Sequence, residues 1–339
     1  MAQSTVPEGE PSSEQLHTAL QGAAPKEPFE VGISVQVEQV VSINQRSENF
    51  EVVGNQRLDW YDSKLAFDEE AFGVSFRMFT REAFARFVDE KRLFAPAFTI
   101  DNQQGRRFTQ NEGALVFSDG HATYGERFTA QLQAPEFDFV QYPFDTQNFY
   151  VHVKGVLPLE YMRFVPIKGG SHLGKQLGEE EWIFGNPTMH VDEVVGVTGK
   201  PTSSFSFSFK AHRHRNYYWL RIFLPLAIII VVSWMTFLLG DFSKRVDIAG
   251  ANLLIVVAFN FTISNDLPRL GYLTFMDAIV MATFVFSAAV VMTNLIFKRM
   301  EAHGRELEAR RIDKFAIWIY PVTLVTLVLV CSFGFIFSK

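Results

Sequence analysis

Cysteine is nearly absent from this chain. Its 339 residues include one, Cys331, inside the last apolar run. That excludes an intrachain disulfide and a cysteine metal cluster, so the first half folds without covalent staples, as its size permits. Catalytic signatures are absent too: no GxSxG, HExxH, P-loop or GxGxxG occurs. His152, His190, His212 and His214 lack convincing metal-ligand spacing. Alternate strand residues such as His212 and His214 can share a metal, but a basic segment beside a membrane is the simpler reading. Glu179–Glu181 reads as a solvated loop. No enzymatic activity, cofactor, metal or nucleic-acid partner is expected. Met1–Glu30 has no apolar core of signal-peptide type. Residues 1–28 read as a flexible leader, with a short amphipathic helix at Ser12–Gln21 as the alternative.

What the chain does have is phenylalanine, 35 in all, and a division of charge. Residues 1–210 carry 29 acidic and 18 basic residues, a formal charge of −11; residues 211–339 carry 8 and 13, a charge of +5. An acidic half joined to a basic, very apolar half suggests an ectodomain joined to a membrane domain. From Phe29 to about His214 the hydrophobic period is two. Val31, Ile33, Val35 and Val37 alternate with polar or small residues, and Ser204–Phe209 places Phe on one face and Ser on the other. Phe50–Trp60, Thr99–Ile100, Leu115–Phe117, Phe128–Gln133, Phe149–Val153 and Met189–Val197 read as further strands. Turn clusters such as Asn44–Asn49 and Asp119–Gly120 separate them. The pattern predicts an all-β, immunoglobulin-like antiparallel sandwich over residues 29–214, interrupted by a helix at Arg81–Arg92.

Four apolar runs fill residues 215–339, at about 217–239, 246–264, 272–297 and 315–337, each long enough to span a bilayer. Tyr217, Tyr218, Trp219, Trp318 and Tyr320 fit interfacial aromatic belts. Lys244 and Arg245 join the first two runs, and Lys298–Lys314, with six Lys/Arg, joins the last two. Positive-inside places both links in the cytoplasm. The Asn265–Gly271 link, the β domain and both termini then lie outside a multi-pass protein of the cell inner (plasma) membrane.

The second run is not uniformly apolar. At helical spacing one stripe reads Ser243, Asp247, Ala251, Leu254, Ala258, Phe261, Asn265. A lipid-facing anchor has no need of this face, whereas a helix lining a water-filled path does. Asp247 has two readings, an acid at the mouth of such a path or a first-turn acid complementing the helix dipole.

In this order the motifs resemble those of the pentameric ligand-gated ion channels (the Cys-loop receptor superfamily), and most closely the bacterial ones. Asp59-Trp60-Tyr61-Asp62 with Lys64-Leu65 is similar to the second-strand motif. Phe94-Ala95-Pro96 is similar to WxPD, with Ala97 for Asp. Tyr142-Pro143-Phe144-Asp145 matches the signature loop, whose two cysteines map to Pro135 and Phe149. Arg213, four residues before Tyr217, Pro225, and Asn265–Tyr272 (NDLPRLGY) complete the match over about residues 31–337.

The resemblance implies a homopentamer around a central pore lined by the second membrane helix, with four identical subunits as partners of each chain. It implies a small-molecule agonist bound between ectodomains at Asn55, Arg57, Asp101, Val156 and Phe205. Val156 stands where many relatives carry an aromatic, so a cage for a quaternary amine is incomplete. Arg57 and Asp101 suggest a polar or zwitterionic agonist, and protons are the alternative. Coupling falls to Asp145, Arg213, Pro143, Pro268 and the Asn44–Asn49 turn, with an Asp145–Arg213 ion pair. Asp247 rings favour monovalent cations, and Leu254 and Phe261 rings close the path by dewetting. An inward Lys244 or Arg245 weakens or inverts that selectivity. The competing expectations are an anion channel of the same family and a non-conducting membrane-anchored β-sandwich receptor.

Overall fold

A computed structural model describes residues 27–175, 177–178, 181–263 and 270–337. Nearly all of the expected leader, with its alternative helix, lies outside the described residues.

Among the described residues twelve strands form two sheets. The first runs β3 (Phe76–Thr80), β5 (Gln103–Phe117), β6 (His121–Gln133), β2 (Asn49–Tyr61), β1 (Phe29–Asn44), β8 (Met162–Pro166), with β9 (His172–Leu173) also on β1. The second runs β10 (Trp182–Phe184), β12 (Pro201–Arg213), β7 (Thr146–Pro158), β4 (Phe98–Ile100), with β11 (Thr188–Val195) also on β12. The sandwich is therefore present, but not wholly antiparallel: β8 and β9 both pair parallel with β1. Several strands are longer than the apolar alternation indicates. The β5 ladder continues through polar Gln103–Gln110 because its backbone pairs with β6 whatever the side chains are.

Period two decides the core. Phe205, Phe207 and Phe209 are buried, and Phe209 meets Phe149 on neighbouring β7 and Phe50 on β2 of the facing sheet. Phe149 stacks on Phe209 at 5.4 Å and meets Phe50 edge-on at 5.0 Å. Each buried ring contributes about 1.5–3 kcal/mol relative to exposure. Helix α1 (Arg81–Lys91) is capped by the Thr80 hydroxyl and ends at Arg92 in the left-handed region, φ 51°.

Among the described residues four helices long and apolar enough to cross a membrane follow: α2 (Arg215–Leu238), α3 (Phe242–Ile263), α4 (Phe275–Ala302) and α5 (Glu306–Phe337). Polar ends extend them beyond the apolar runs, since a helix stops at its cap rather than where hydropathy falls. So α5 begins at Glu306, not Phe315, and only His303–Arg305 separates it from α4. Thr274 and Asp277 form a reciprocal capping box that starts α4, which accounts for the acid near that end of the run. One apolar cluster continues from the sandwich into the membrane helices through Tyr218, Ile222, Leu226, Ile263 and Met276.

Candidate functional site

The buried face of α3 comprises Phe242, Arg245, Ala249, Asn252, Val256 and Ile263. Asp247, Ala251, Leu254, Ala258 and Phe261 lie on the exposed side, with Ser243 half-buried; Asn265 lies outside the described residues. Leu254 is 70% exposed and Phe261 69%. Two side chains set this rotation. Asn252 Nδ2 donates to Ile229 O at 2.7 Å and Ser233 Oγ at 2.5 Å on α2. Arg245 makes a paired ion bridge to Asp313 on α5, at 2.6 and 2.9 Å, and donates to Leu239 O at 2.6 Å. Arg245 is thus turned away from the stripe, while Lys244 is exposed beside it. Asp241 Oδ1 accepts from the backbone of Ser243 and Lys244, so the side chain capping the helix is Asp241. The first turn holds no acid. Asp247 lies in the second turn, where the dipole effect has faded, which removes the simpler reading of it.

A second centre lies where the sandwich meets the helices. Arg213, at the end of β12, is 2% exposed and bonds Asp145 Oδ1 through Nε at 3.0 Å. The ion pair implied by the family resemblance is present, and it is part of a larger network. Arg213 Nη1 reaches Glu181 at 2.5 Å and the Tyr218 hydroxyl at 3.1 Å, and the guanidinium covers Trp182 at 4.2 Å and Tyr142 at 4.8 Å. Burial alone would lower the Arg213 pKa; Asp145, Tyr218 and Glu181 more than offset it, so the net direction is up. Glu181 is no solvated loop residue. Its role was hidden because a run of three Glu carries no sign of which one turns inward.

The signature loop makes further contacts that sequence reading missed. Phe144 stacks on Phe223 of α2 at 5.9 Å and meets Phe275 of α4 at 5.8 Å. Val140 O accepts from Phe275 N at 2.8 Å, and the Tyr272 hydroxyl accepts from Phe139 N at 3.2 Å. The Tyr142–Pro143 bond is cis. Pro268 lies outside the described residues.

The positions implied for agonist divide between the sheets. Asn55 and Arg57, on β2, line a cavity of about 480 Å³ with Met78, Thr123 and Arg127. Arg57 pairs with Asp59 at 2.8 Å, Asn55 donates to Glu38 at 2.6 Å, and Arg127 pairs with Glu38. Asp101 and Val156 lie on the other sheet's β4–β7 edge, Asp101 facing Lys154 at 3.6 Å. Phe205 contradicts its assignment. It is 0% exposed in the sandwich core, because alternation along β12 turns 205, 207 and 209 inward and Ser206 outward. Beside it on that outer surface, His152 contacts Ser206 Oγ at 2.9 Å and stacks on Tyr150. Burial lowers the His152 pKa, against the opposing pull of Asp101, Glu136 and Asp192. Among the described residues no group of three His, Cys, Asp or Glu could hold a metal ion.

The family model of the neurotransmitter-gated ion-channel ligand binding domain matches residues 16–155. A protein named proton-gated ion channel, from Gloeobacter violaceus, is 23% identical over 314 residues, covering 91% of this chain and 84% of its own. Along most of its length the chain is similar to the pentameric ligand-gated ion channels. Receptor subunits for gamma-aminobutyric acid are similar as well: the beta-4 subunit of Gallus gallus is 22% identical over 302 residues, and the rho-2 subunit of Homo sapiens 23% over 283. The chain spans 59% and 55% of those two relatives. The matched ligand-binding domain model falls on the β-sandwich part of the chain, and the four helices long and apolar enough to cross a membrane follow it.

Proposed function

We propose that five copies of this chain assemble around an axis lined by α3 and form a cation channel of the inner (plasma) membrane, with the ectodomain and both termini outside the cytoplasm. The observation that carries this is the exposed face of α3. An acid stands at one end, small residues lie between, and large apolar residues stand toward the other end, while the opposite face is bonded to its neighbours. No lipid-facing helix needs an uncapped acid on that face. The domains divide at residue 214, with the sandwich before it and the membrane bundle after it.

Five Asp247 side chains make a carboxylate ring that favours monovalent cations over anions. The Arg245–Asp313 bridge supports this reading, since it turns one of the two neighbouring basic groups away. Asp247→Asn in liposomes is expected to move the reversal potential under a salt gradient toward zero, with a several-fold loss of cation preference. An unchanged potential would sink the selectivity claim and favour the anion channel. No flux from the wild-type protein under any agonist or pH step would favour a non-conducting receptor.

The agonist site lies between subunits, with Asn55 and Arg57 contributed by one and Asp101 and Val156 by the next. A zwitterion would place its carboxylate on Arg57 and its amine near Asp101, which suits the resemblance to receptors named for gamma-aminobutyric acid. Arg57→Ala is expected to raise the half-activating concentration of such an agonist about tenfold or more, the cost of one charge-assisted hydrogen bond. Concentration–response curves that superimpose with wild type would remove Arg57 from the site. Protons are the second reading, suited by the resemblance to the proton-gated channel.

A further inference from the structure

One acid in the sandwich core has no part in the pore or the coupling centre. Glu126 of β6 is in register with Gln56 of β2 and is 3% exposed. Its Oε2 accepts from the Tyr124 hydroxyl at 2.9 Å. Its Oε1 lies 2.8 Å from Arg107 Nη1, although neither atom is aligned for a hydrogen bond. Arg107 comes from an irregular stretch of β5, where register with β6 breaks between Gln104 and Phe108 and Gly105 has φ 71°. Its guanidinium lies over the Phe98 ring of β4 at 5.4 Å, and that ring packs 6.2 Å from Tyr124. A second break, between Gln110 and Gly113, brings in Glu112, which accepts from Tyr124 at 3.3 Å and from Arg81 of α1 at 3.2 Å.

The charged or titratable groups around Glu126 are therefore Arg107 and Glu112 from β5, Arg81 from α1 and Tyr124 from its own strand. From β2 the neutral amide of Gln56 lies in register with it, and the two polar side-chain atoms of that amide have no hydrogen-bond partner among the described residues; Arg57 of the same strand lines the adjoining cavity and pairs with Asp59. The two acids balance the two arginines while all are ionised. The cavity beside Arg57 reaches Gln56, Gly113, Gly125 and Glu126, so a proton has a route from solvent.

We propose that Glu126 is a proton-operated latch on the ectodomain. Ionised, it holds Arg107 against Phe98 and fastens the β4–β5 segment to β6; protonated, it releases Arg107 and the segment that carries Phe98 and Asp101. The sign follows from linkage. Burial raises the Glu126 pKa, and Arg107 is the largest influence opposing that rise. Because Arg107 disfavours the proton, the proton must disfavour Arg107 by the same factor. A released Arg107 then leaves a core in which it has lost its counter-charge. The latch stands on the ectodomain geometry alone; its effect on agonist, through Asp101, rests on the channel reading and would join pH to the agonist site.

Hydrogen–deuterium exchange of the full-length protein in nanodiscs, corrected for the intrinsic pH dependence of exchange, tests it. On going from neutral to weakly acidic pH, amides of residues 98–110 are expected to lose about tenfold in protection, a local opening rather than global unfolding. Glu126→Gln should show the acidic behaviour at both pH values. Arg107→Met should do the same, with β2 and β6 still protected, and decides the matter if the Gln variant does not fold. Either variant retaining the wild-type pH response, or a wild-type segment that does not respond, overturns the latch. Ion flux has no part in this readout, so failure of the channel reading and failure of the latch are distinguishable.

Discussion

Replacing Arg213 by methionine is expected to lower the stability of the purified protein by about 3–5 kcal/mol, because one partner of a buried ion pair is left without the other. Asp145 is 2% exposed and would lose its counter-charge, and Glu181 and Tyr218 would lose a shared donor. The measurement is the thermal midpoint, followed by fluorescence. Two comparisons separate the charge effect from lost packing. Arg213→Met with Asp145→Leu removes both charges and should recover most of the loss, since replacing a whole buried pair by apolar groups is often close to neutral. Glu181→Gln should cost less than about 1 kcal/mol, because the Glu181 side chain is 40% exposed and Arg213 keeps Asp145. If Arg213→Met melts with wild type, the network does not hold the two domains together. Where the variant folds, a raised agonist requirement is expected, because β12 enters α2 directly through this residue.

Leu254→Ser should raise ion flux in the absence of agonist by about tenfold or more, equivalent to a shift of roughly 1.4 kcal/mol toward the open state. A narrow path lined by apolar side chains closes by dewetting, without needing to be sealed by contact. Leu254 is 70% exposed in the single subunit, so no intrasubunit packing explains its size. A hydroxyl there lets water remain. The same change at Phe261, also on the exposed face, tests the second constriction. If resting flux is unchanged in the Leu254 variant and rises in the Phe261 variant, the gate lies at the outer end of the helix. If neither changes, the apolar rings pack between neighbouring subunits and do not gate.

Much of the sandwich was legible because its signal is local. Alternation in SFSFSF marks a half-buried strand whatever the rest of the chain does, and the same alternation shows why Phe205 belongs to the core and not to a ligand. A family position by itself does not say which face of the strand it occupies, and the alternation along β12 does. Helix ends were less legible. Hydropathy reports where lipid begins, while the Thr274–Asp277 box and the polar start of α5 report where the helix begins, and these differ. The parallel pairing of β8 and β9 with β1 had no local signal at all, since it joins residues more than a hundred positions apart.

The stripe on α3 shows the same division. Its membership follows from the sequence alone, because helical geometry converts spacing into direction with no knowledge of neighbours. Whether the stripe is free could not follow from spacing, because any helix has several candidate faces. That was decided by Asn252 bonding α2 and by Arg245 bonding Asp313, partners 68 residues apart in the case of the arginine. That Arg245 turns away from the stripe was likewise decided only in three dimensions, by a carboxylate on another helix. The sequence by itself determined the two-part architecture and the polar face of the second membrane helix, and its resemblance to a known family pointed to the Asp145–Arg213 pair. The tertiary structure alone decided which way that helix turns, that Glu181 joins the pair, and that Glu126 is buried against Arg107, since each depends on which distant side chain supplies the opposite charge or the hydrogen bond.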